Sequence, residues 1–203
     1  MNQKAIDAYN EIGYTAVDNF LPEKIAREIF DIYSKNKVWE LQDQVREAHY
    51  QHVFATKNPH LPRPNEIYKA RFDRARELEK SEFIQSTFKK YFVPKLNEIS
   101  KKNLLNYDIR CYRLQPGHFY RTHIDDYVAA VGLNYYLNPE WVFDWGGLLH
   151  VASNDDLDFI DTIFPKFNRI VLLNHEKFRF PHFVSTVSEY ALKPRYTVIA
   201  FCK

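Results

Sequence analysis

From Tyr107 onward the chain is written in short strand-like runs cut by turn signals, and no other feature constrains its fold as much. Seven runs can be read, at 107–114, 118–122, 130–137, 148–152, 169–173, 182–187 and 196–202. Between them stand Gln115-Pro116-Gly117, Asn138-Pro139, Trp145-Gly146-Gly147 and Lys193-Pro194. Proline fixes φ and glycine admits positive φ, so these are places where strands end and turn. The first half reads differently. Residues 14–17 form a short strand, and Pro22 and Glu23 then open a helix with Ile25, Ile29, Ile32 and Tyr33 on one face. Residues 39–64 lose the pattern: Pro59, Pro62 and Pro64 break any helix, and Trp39, His49, Tyr50, His52 and Phe54 stud a polar stretch that suits a surface loop or lid. Residues 66–100 read as a second helical region, broken near Ser81 and Pro94, with Phe83, Ile84, Phe88, Tyr91, Phe92 and Leu96 as its apolar face. The expected fold is α+β: an antiparallel double-stranded β-helix, or cupin-like jelly roll, with N-terminal helices packed on one face.

The 203 residues suit a single domain, 1–203, with 1–105 as helical support and lid and 106–203 as jelly-roll core. With 45% apolar and 16% aromatic residues the chain can bury a sizeable core. Its 28 basic and 26 acidic residues nearly cancel, which argues against a dedicated nucleic-acid binder. The local basic run Lys69, Arg71, Arg74 and Arg76 is interleaved with Asp73, Glu77 and Glu79 and reads as a solvated helix face. Cys111 and Cys202 form no CxxC pair and read as small buried hydrophobes. The N-terminal residues lack a signal-peptide core, and no run of about 18 apolar residues suggests a membrane span. A cytoplasmic setting is expected.

The chemistry concentrates in His123-Ile124-Asp125 and His182. Residues i and i+2 of a strand share a face, so His123 and Asp125 can reach one ion, with His182 arriving from a distant strand. Two imidazoles and one carboxylate form the facial triad that holds non-haem Fe(II) and leaves the opposite face open. One His-x-Asp among eight histidines is weak on its own, so its neighbours carry the argument.

Those neighbours resemble the prolyl 4-hydroxylase-type branch of the Fe(II)/2-oxoglutarate oxygenases, most closely the hypoxia-type prolyl hydroxylase catalytic domains. Pro116-Gly117-His118-Phe119-Tyr120-Arg121-Thr122-His123-Ile124-Asp125 is similar to that family's P-G-x-x-Y-x-x-H-x-D approach to iron. Asn134-Tyr135-Tyr136-Leu137-Asn138-Pro139-Glu140-Trp141, Gly146-Gly147-Leu148-Leu149, Pro165-Lys166-Phe167-Asn168-Arg169, Pro181-His182-Phe183-Val184 and Arg195-Tyr196 follow in family order. The likeness spans 107–203. It implies that His123, Asp125 and His182 bind Fe(II). It further implies that Arg195 and Tyr136 hold the distal carboxylate of 2-oxoglutarate, that Tyr120 lines the pocket, and that O2 is consumed. Arg195 lies 13 residues after His182, a longer gap than in the hypoxia-type enzymes, and Leu114 stands where many relatives carry tyrosine. Halogenating relatives replace the carboxylate ligand by a small residue, so Asp125 favours hydroxylation. His118, His150 and His175 are further candidates for the pocket wall, whereas His49, His52 and His60 read as loop surface.

The resemblance thus implies hydroxylation of an aliphatic carbon, prolyl or another amino-acid side chain, with succinate and CO2 as co-products. The substrate is a small molecule or a peptide, selected by the 39–64 loop and the 126–131 segment, with no nucleic-acid or membrane partner. A catalytically silent cupin-like binding protein and a nucleic-acid oxygenase are the competing readings. An intact triad with Arg195 speaks against the first, and the balanced charge against the second.

Overall fold

The N-terminal helices form because apolar residues recur three and four apart, giving each helix one stripe to bury. In the computed structural model, which describes residues 3–45, 68–125, 129–152, 160–178 and 181–203, helix α1 (Gln3–Glu11) buries Ala5, Ile6 and Tyr9. Helix α2 (Glu23–Lys35) buries Ala26, Ile29 and Tyr33. Two short helices, α3 (Arg76–Lys80) and α4 (Glu82–Thr87), are separated at Ser81, whose hydroxyl caps α4 by accepting from the Ile84 amide. The chain does not break at Pro94. A π-helical turn, Phe88–Phe92, runs directly into α5 (Val93–Ser100), with the proline in its first turn. Proline lacks an amide donor, and the first turn of a helix is where that donor has no intrahelical partner.

Among the described residues, eleven strands make one continuous, strongly curved antiparallel sheet: β1 (Tyr14–Val17), β2 (Glu40–Val45), β3 (Tyr68–Arg74), β4 (Tyr107–Leu114), β5 (Phe119–His123), β6 (Val131–Tyr136), β7 (Leu149–Ala152), β8 (Ile160–Ile163), β9 (Arg169–Asn174), β10 (His182–Val184) and β11 (Arg195–Cys202). Their order is β1-β9-β6-β11-β4-β3-β5-β10-β7-β8, with β2 added beside β3. β3 is the seam: Asp73 and Arg74 pair with β4, whereas Ala70 and Arg71 pair with β5. The sheet therefore folds over on itself as a jelly roll, as the strand pattern predicts.

Residues 1–105 hold the expected strand β1, but also β2 and β3, which the sequence did not announce. The helical reading fails over 68–74, where the period is two: Ala70 and Phe72 are buried on one face, which a strand satisfies and a helix does not. Burial of Asp73 hid that alternation. Its carboxylate accepts from Arg113 and Gln115 across the seam, both at 2.7 Å. Of the basic run, Arg71 and Arg74 lie on β3, which is paired on both sides, and Arg76 opens α3; their ion pairs are Arg71 with Asp43, Arg74 with Glu79 and Arg76 with Glu40. β8 was also illegible, since Ile160, Asp161 and Thr162 are exposed and leave no apolar period. The lid expected within 39–64 falls, from 46 onward, outside the described residues, as do Asp126 and its two successors.

Strand β11 divides the interior. Tyr196, Val198, Ala200 and Cys202 face the helices and join one core with Ile29, Tyr33, Phe88, Phe92 and Leu96. Each fully buried large side chain there contributes about 1.5–3 kcal/mol. The alternate residues Arg195, Thr197, Ile199 and Phe201 turn into the roll. The 165–169 turn fastens the N-terminal segment to this frame. Asn168, at φ 57°, accepts from the Leu21 amide and the Tyr135 hydroxyl, while Lys166 and Arg169 grip Asp18. Cys111 and Cys202 are free and buried.

Candidate active site

His123 ends β5 and His182 opens β10, and the two are directly opposite in the β5–β10 ladder. Asp125 lies just past the end of β5. Its Oδ1 is 3.6 Å from His123 Nε2 and its Oδ2 is 3.3 Å from His182 Nε2. One ligand atom from each residue falls within 4.8 Å of the other two, and this is the cluster among the described residues with metal-binding geometry. The His123 ring is oriented from behind: its Nδ1 lies 2.8 Å from the Arg121 carbonyl, which can only accept, so Nε2 keeps its lone pair toward Asp125. Burial pushes the Asp125 carboxyl up, but electrostatic attraction to the neighbouring His123 and His182 rings and a hydrogen bond from His182 outweigh it. The group ends well below the usual carboxylate range. It is a carboxylate at neutral pH, as ligation requires.

The local sequence reaches this arrangement through an irregularity. Between the β10 residues His182 and Val184 the partner strand advances from His123 to Tyr120, three residues against two. This bulge on β5 re-aims the side chains. Tyr120 and His123 would sit on opposite faces of a regular strand; here both line the same cavity, with ring centroids 4.7 Å apart. The cavity, about 160 Å³, is walled by the triad and by residues of β4, β6 and β11.

The register sorts the roll's interior into rungs. Arg195 pairs with Leu114 at the start of β11. The next rung is Tyr112, Thr197 and Tyr136, and the one after it Arg110, Ile199 and Asn134. Arg195 is fully buried with Nε and Nη2 lacking hydrogen-bond partners, and the Tyr136 hydroxyl and Thr197 Oγ1 are buried and unpartnered as well. The guanidinium carbon lies 4.8 Å from the Tyr136 ring centroid, and burial lowers the Arg195 pKa. Orphaned donors of this kind, converging on a cation, describe a cradle for a carboxylate. Gly147 makes room for it: at φ 63°, a Cβ there would stand 2.9 Å from Arg195 Cδ.

Each residue singled out in the sequence can now be placed. His123, Asp125 and His182 converge, Tyr120 stands beside them in the cavity wall, and Arg195 with Tyr136 lies deeper in the roll. Among the other histidines His175 lines the cavity, packed where a Cβ on Gly132 would come within 2.3 Å of its Nε2. His118 is buried in its turn, and His150 stacks on Phe183 away from the cavity. Thr197, Arg110 and Asn134 were not singled out. Their signal was the period of two running through β11 and its neighbours.

Residues 107–203 match the family model for the 2OG-Fe(II) oxygenase superfamily. No curated protein matches the sequence. Among solved structures the chain is similar to a Pseudomonas putida prolyl-4-hydroxylase, at 16% identity over 100% of this chain and 98% of that one, TM-score 0.69. It is also similar to a Trichoplax adhaerens prolyl hydroxylase in complex with a hypoxia inducible factor peptide fragment, at 19% identity over 98% and 87%, TM-score 0.64. A third likeness is to SnoN, a non-heme alpha ketoglutarate dependent epimerase from nogalamycin biosynthesis, at 10% identity over 98% and 80%, TM-score 0.67. At these identities the structures speak for the fold, and the family model, which implies Fe(II), 2-oxoglutarate and O2, speaks for the chemistry. Residues 107–203 thus carry the match to the 2OG-Fe(II) oxygenase superfamily, and that match supports a 2-oxoglutarate-dependent dioxygenase.

Proposed function

We propose that His123, Asp125 and His182 hold Fe(II), that Arg195 with Tyr136 and Thr197 holds the distal carboxylate of 2-oxoglutarate, and that the enzyme hydroxylates an aliphatic carbon of a prolyl or other amino-acid substrate. The convergence of the three ligand atoms within 4.8 Å carries this reading. The donor set fits the metal: two neutral imidazoles and one carboxylate suit Fe(II) and leave coordination positions for a chelating co-substrate and O2. The orphaned donors at Arg195, Tyr136 and Thr197 fit the co-substrate's far end. When bound, iron supplies O2 activation coupled to decarboxylation, so that one oxygen atom enters succinate and the other the product hydroxyl, with CO2 released. The protein's own residues do the rest. Arg195 fixes the co-substrate's orientation, Arg121 fixes the His123 ring, and the apolar walls Leu149, Leu173, Val184 and Ile199 keep water from the reacting carbon. Two of the similar structures are prolyl hydroxylases, which supports an amino-acid side chain as the target.

Anaerobic addition of Fe(II) and then 2-oxoglutarate to the purified protein is expected to produce the weak visible metal-to-ligand charge-transfer band of a chelated co-substrate. A folded, iron-loaded protein without that band favours the silent cupin-like alternative. Gly147→Ala is a more local check. The new methyl group is strained at positive φ and presses on the Arg195 stem. The concentration of 2-oxoglutarate giving half the band should rise roughly tenfold, about 1.4 kcal/mol, with iron affinity unchanged. An unaltered midpoint would show that Arg195 does not govern co-substrate binding.

A further inference from the structure

We propose that Arg110 anchors a carboxylate of the primary substrate, and that this substrate is a free amino acid or a molecule of that size rather than a residue within a protein chain. The inference rests on the reading above and adds the substrate class. Arg110, Ile199 and Asn134 are one rung across β4, β11 and β6, and all three line the cavity that holds the triad. Adjacent strands lie about 4.8 Å apart, so Arg110 and Asn134 stand at opposite ends of a rung roughly 10 Å wide, with apolar Ile199 between them. This rung is distinct from the co-substrate cradle. Arg195 is four residues along β11 from Ile199, roughly 13 Å at strand rise. Among the described residues, two separate cations therefore face the roll's interior, Arg195 fully buried and Arg110 in the wall of the metal ligands' cavity.

Arg110 is held ready rather than consumed. Its guanidinium carbon lies 4.6 Å from the Phe201 ring centroid, and Nε and Nη2 both reach the same Asp108 oxygen, at 2.9 and 2.8 Å. The Asp108 side chain is 55% exposed while that of Arg110 is 27% exposed, so the carboxylate braces the cation from the solvent side. A guanidinium has five N–H donors in a planar fork; Asp108 engages two of them through one oxygen and the Tyr112 hydroxyl accepts from the same guanidinium, which leaves donors for a ligand. Asn134 adds a donor and an acceptor across the rung; among the described residues its carboxamide makes no hydrogen bond. Tyr112, Tyr120 and Phe201 give the same cavity aromatic walls. An aliphatic skeleton bounded by a carboxylate fits this combination. Size agrees: drug-sized ligands occupy roughly 300–1,000 Å³, whereas this cavity is about 160 Å³ and also takes the chelating end of 2-oxoglutarate, so the remaining space suits a molecule no larger than an amino acid.

The test uses the anaerobic protein loaded with Fe(II) and 2-oxoglutarate. The probes are the free L-amino acids, L-proline among them, each compared with its carboxamide and with the same residue inside a short peptide blocked at both ends. Binding is read as a shift of the charge-transfer band, and turnover as succinate released. At least one free amino acid should shift the band and stimulate succinate release. Its carboxamide should bind roughly 30-fold more weakly or worse, the loss that follows removal of one partner of a charge pair. Arg110→Met should weaken the carboxylate by a similar factor and leave the carboxamide unchanged, while retaining the unshifted band that shows iron and co-substrate in place. Asp108→Asn removes the competing carboxylate and should tighten the free acid several-fold. Equal binding of acid and carboxamide, or a response to the blocked peptide and to no free amino acid, overturns the assignment of Arg110 while the iron and 2-oxoglutarate reading stands. Absence of the band in the parent protein is the separate result that overturns that reading.

Discussion

His182→Ala is expected to abolish tight Fe(II) binding and succinate formation together. His182 is the buried member of the triad, and its Nε2 meets the Asp125 carboxylate at 3.3 Å directly across the ladder from His123. Removing it leaves one imidazole and one carboxylate, too few donors for a facial site. Loss of groups that merely orient ligands costs about 10–100-fold in metal affinity or activity, so loss of a ligand should exceed the upper figure, roughly 100-fold. The informative comparison is His175→Ala. His175 lines the same cavity, with its ring centroid 6.1 Å from that of His182, yet it is outside the three-residue cluster. It should retain the iron affinity that His182→Ala loses. Anaerobic Fe(II) titration of both variants, with circular dichroism to confirm folding, checks this. Full iron affinity in His182→Ala, or equal losses in the two, would falsify the triad.

Why the site was legible while part of its frame was not follows from what each residue has to satisfy. His123, Asp125, His182 and Arg195 are chemically unusual inside a β-roll, and turn signals located the starts of β5, β10 and β11 to within a residue. Geometry around them was another matter. A regular strand would put Tyr120 and His123 on opposite faces, so only the resemblance placed Tyr120 in the pocket wall, and the β5 bulge that unites the two has no signature in Arg121-Thr122. β3 was taken for helix because buried Asp73 interrupts its apolar alternation, and the reason for burying it, Arg113, lies 40 residues away. Pro94 was read as a break because proline in isolation ends a helix; here it sits in a first turn supplied by a π-helical segment. The missed residues Arg110, Asn134 and Thr197 are unremarkable as types. They matter because three strands far apart in sequence come into register, and long-range register is what local pattern does not encode.

Arg195→Met should make the protein without co-substrate at least as heat-stable as the parent and remove the stabilisation that 2-oxoglutarate confers. Taking a guanidinium fully out of water is unfavourable unless its donors are matched, and Nε and Nη2 are not. The Tyr136 ring beneath it offsets only part of that penalty. Methionine of similar length fills the space without a charge, so the unliganded fold loses nothing. The parent behaves oppositely. With Mn(II) in place of Fe(II) to prevent turnover, 2-oxoglutarate at 100 times its Kd should add about 2.7 kcal/mol. For a chain of this length that is a rise in Tm of roughly 5–10 °C. In Arg195→Met the rise should nearly vanish. Arg195→Lys should recover part of it, because an ammonium supplies the charge but not the bidentate fork. A Met variant that keeps the full rise at the same 2-oxoglutarate concentration would move the co-substrate's distal carboxylate to the other cation facing the roll, Arg110. That outcome would also withdraw Arg110 from the substrate, so the one melting series bears on both arginines.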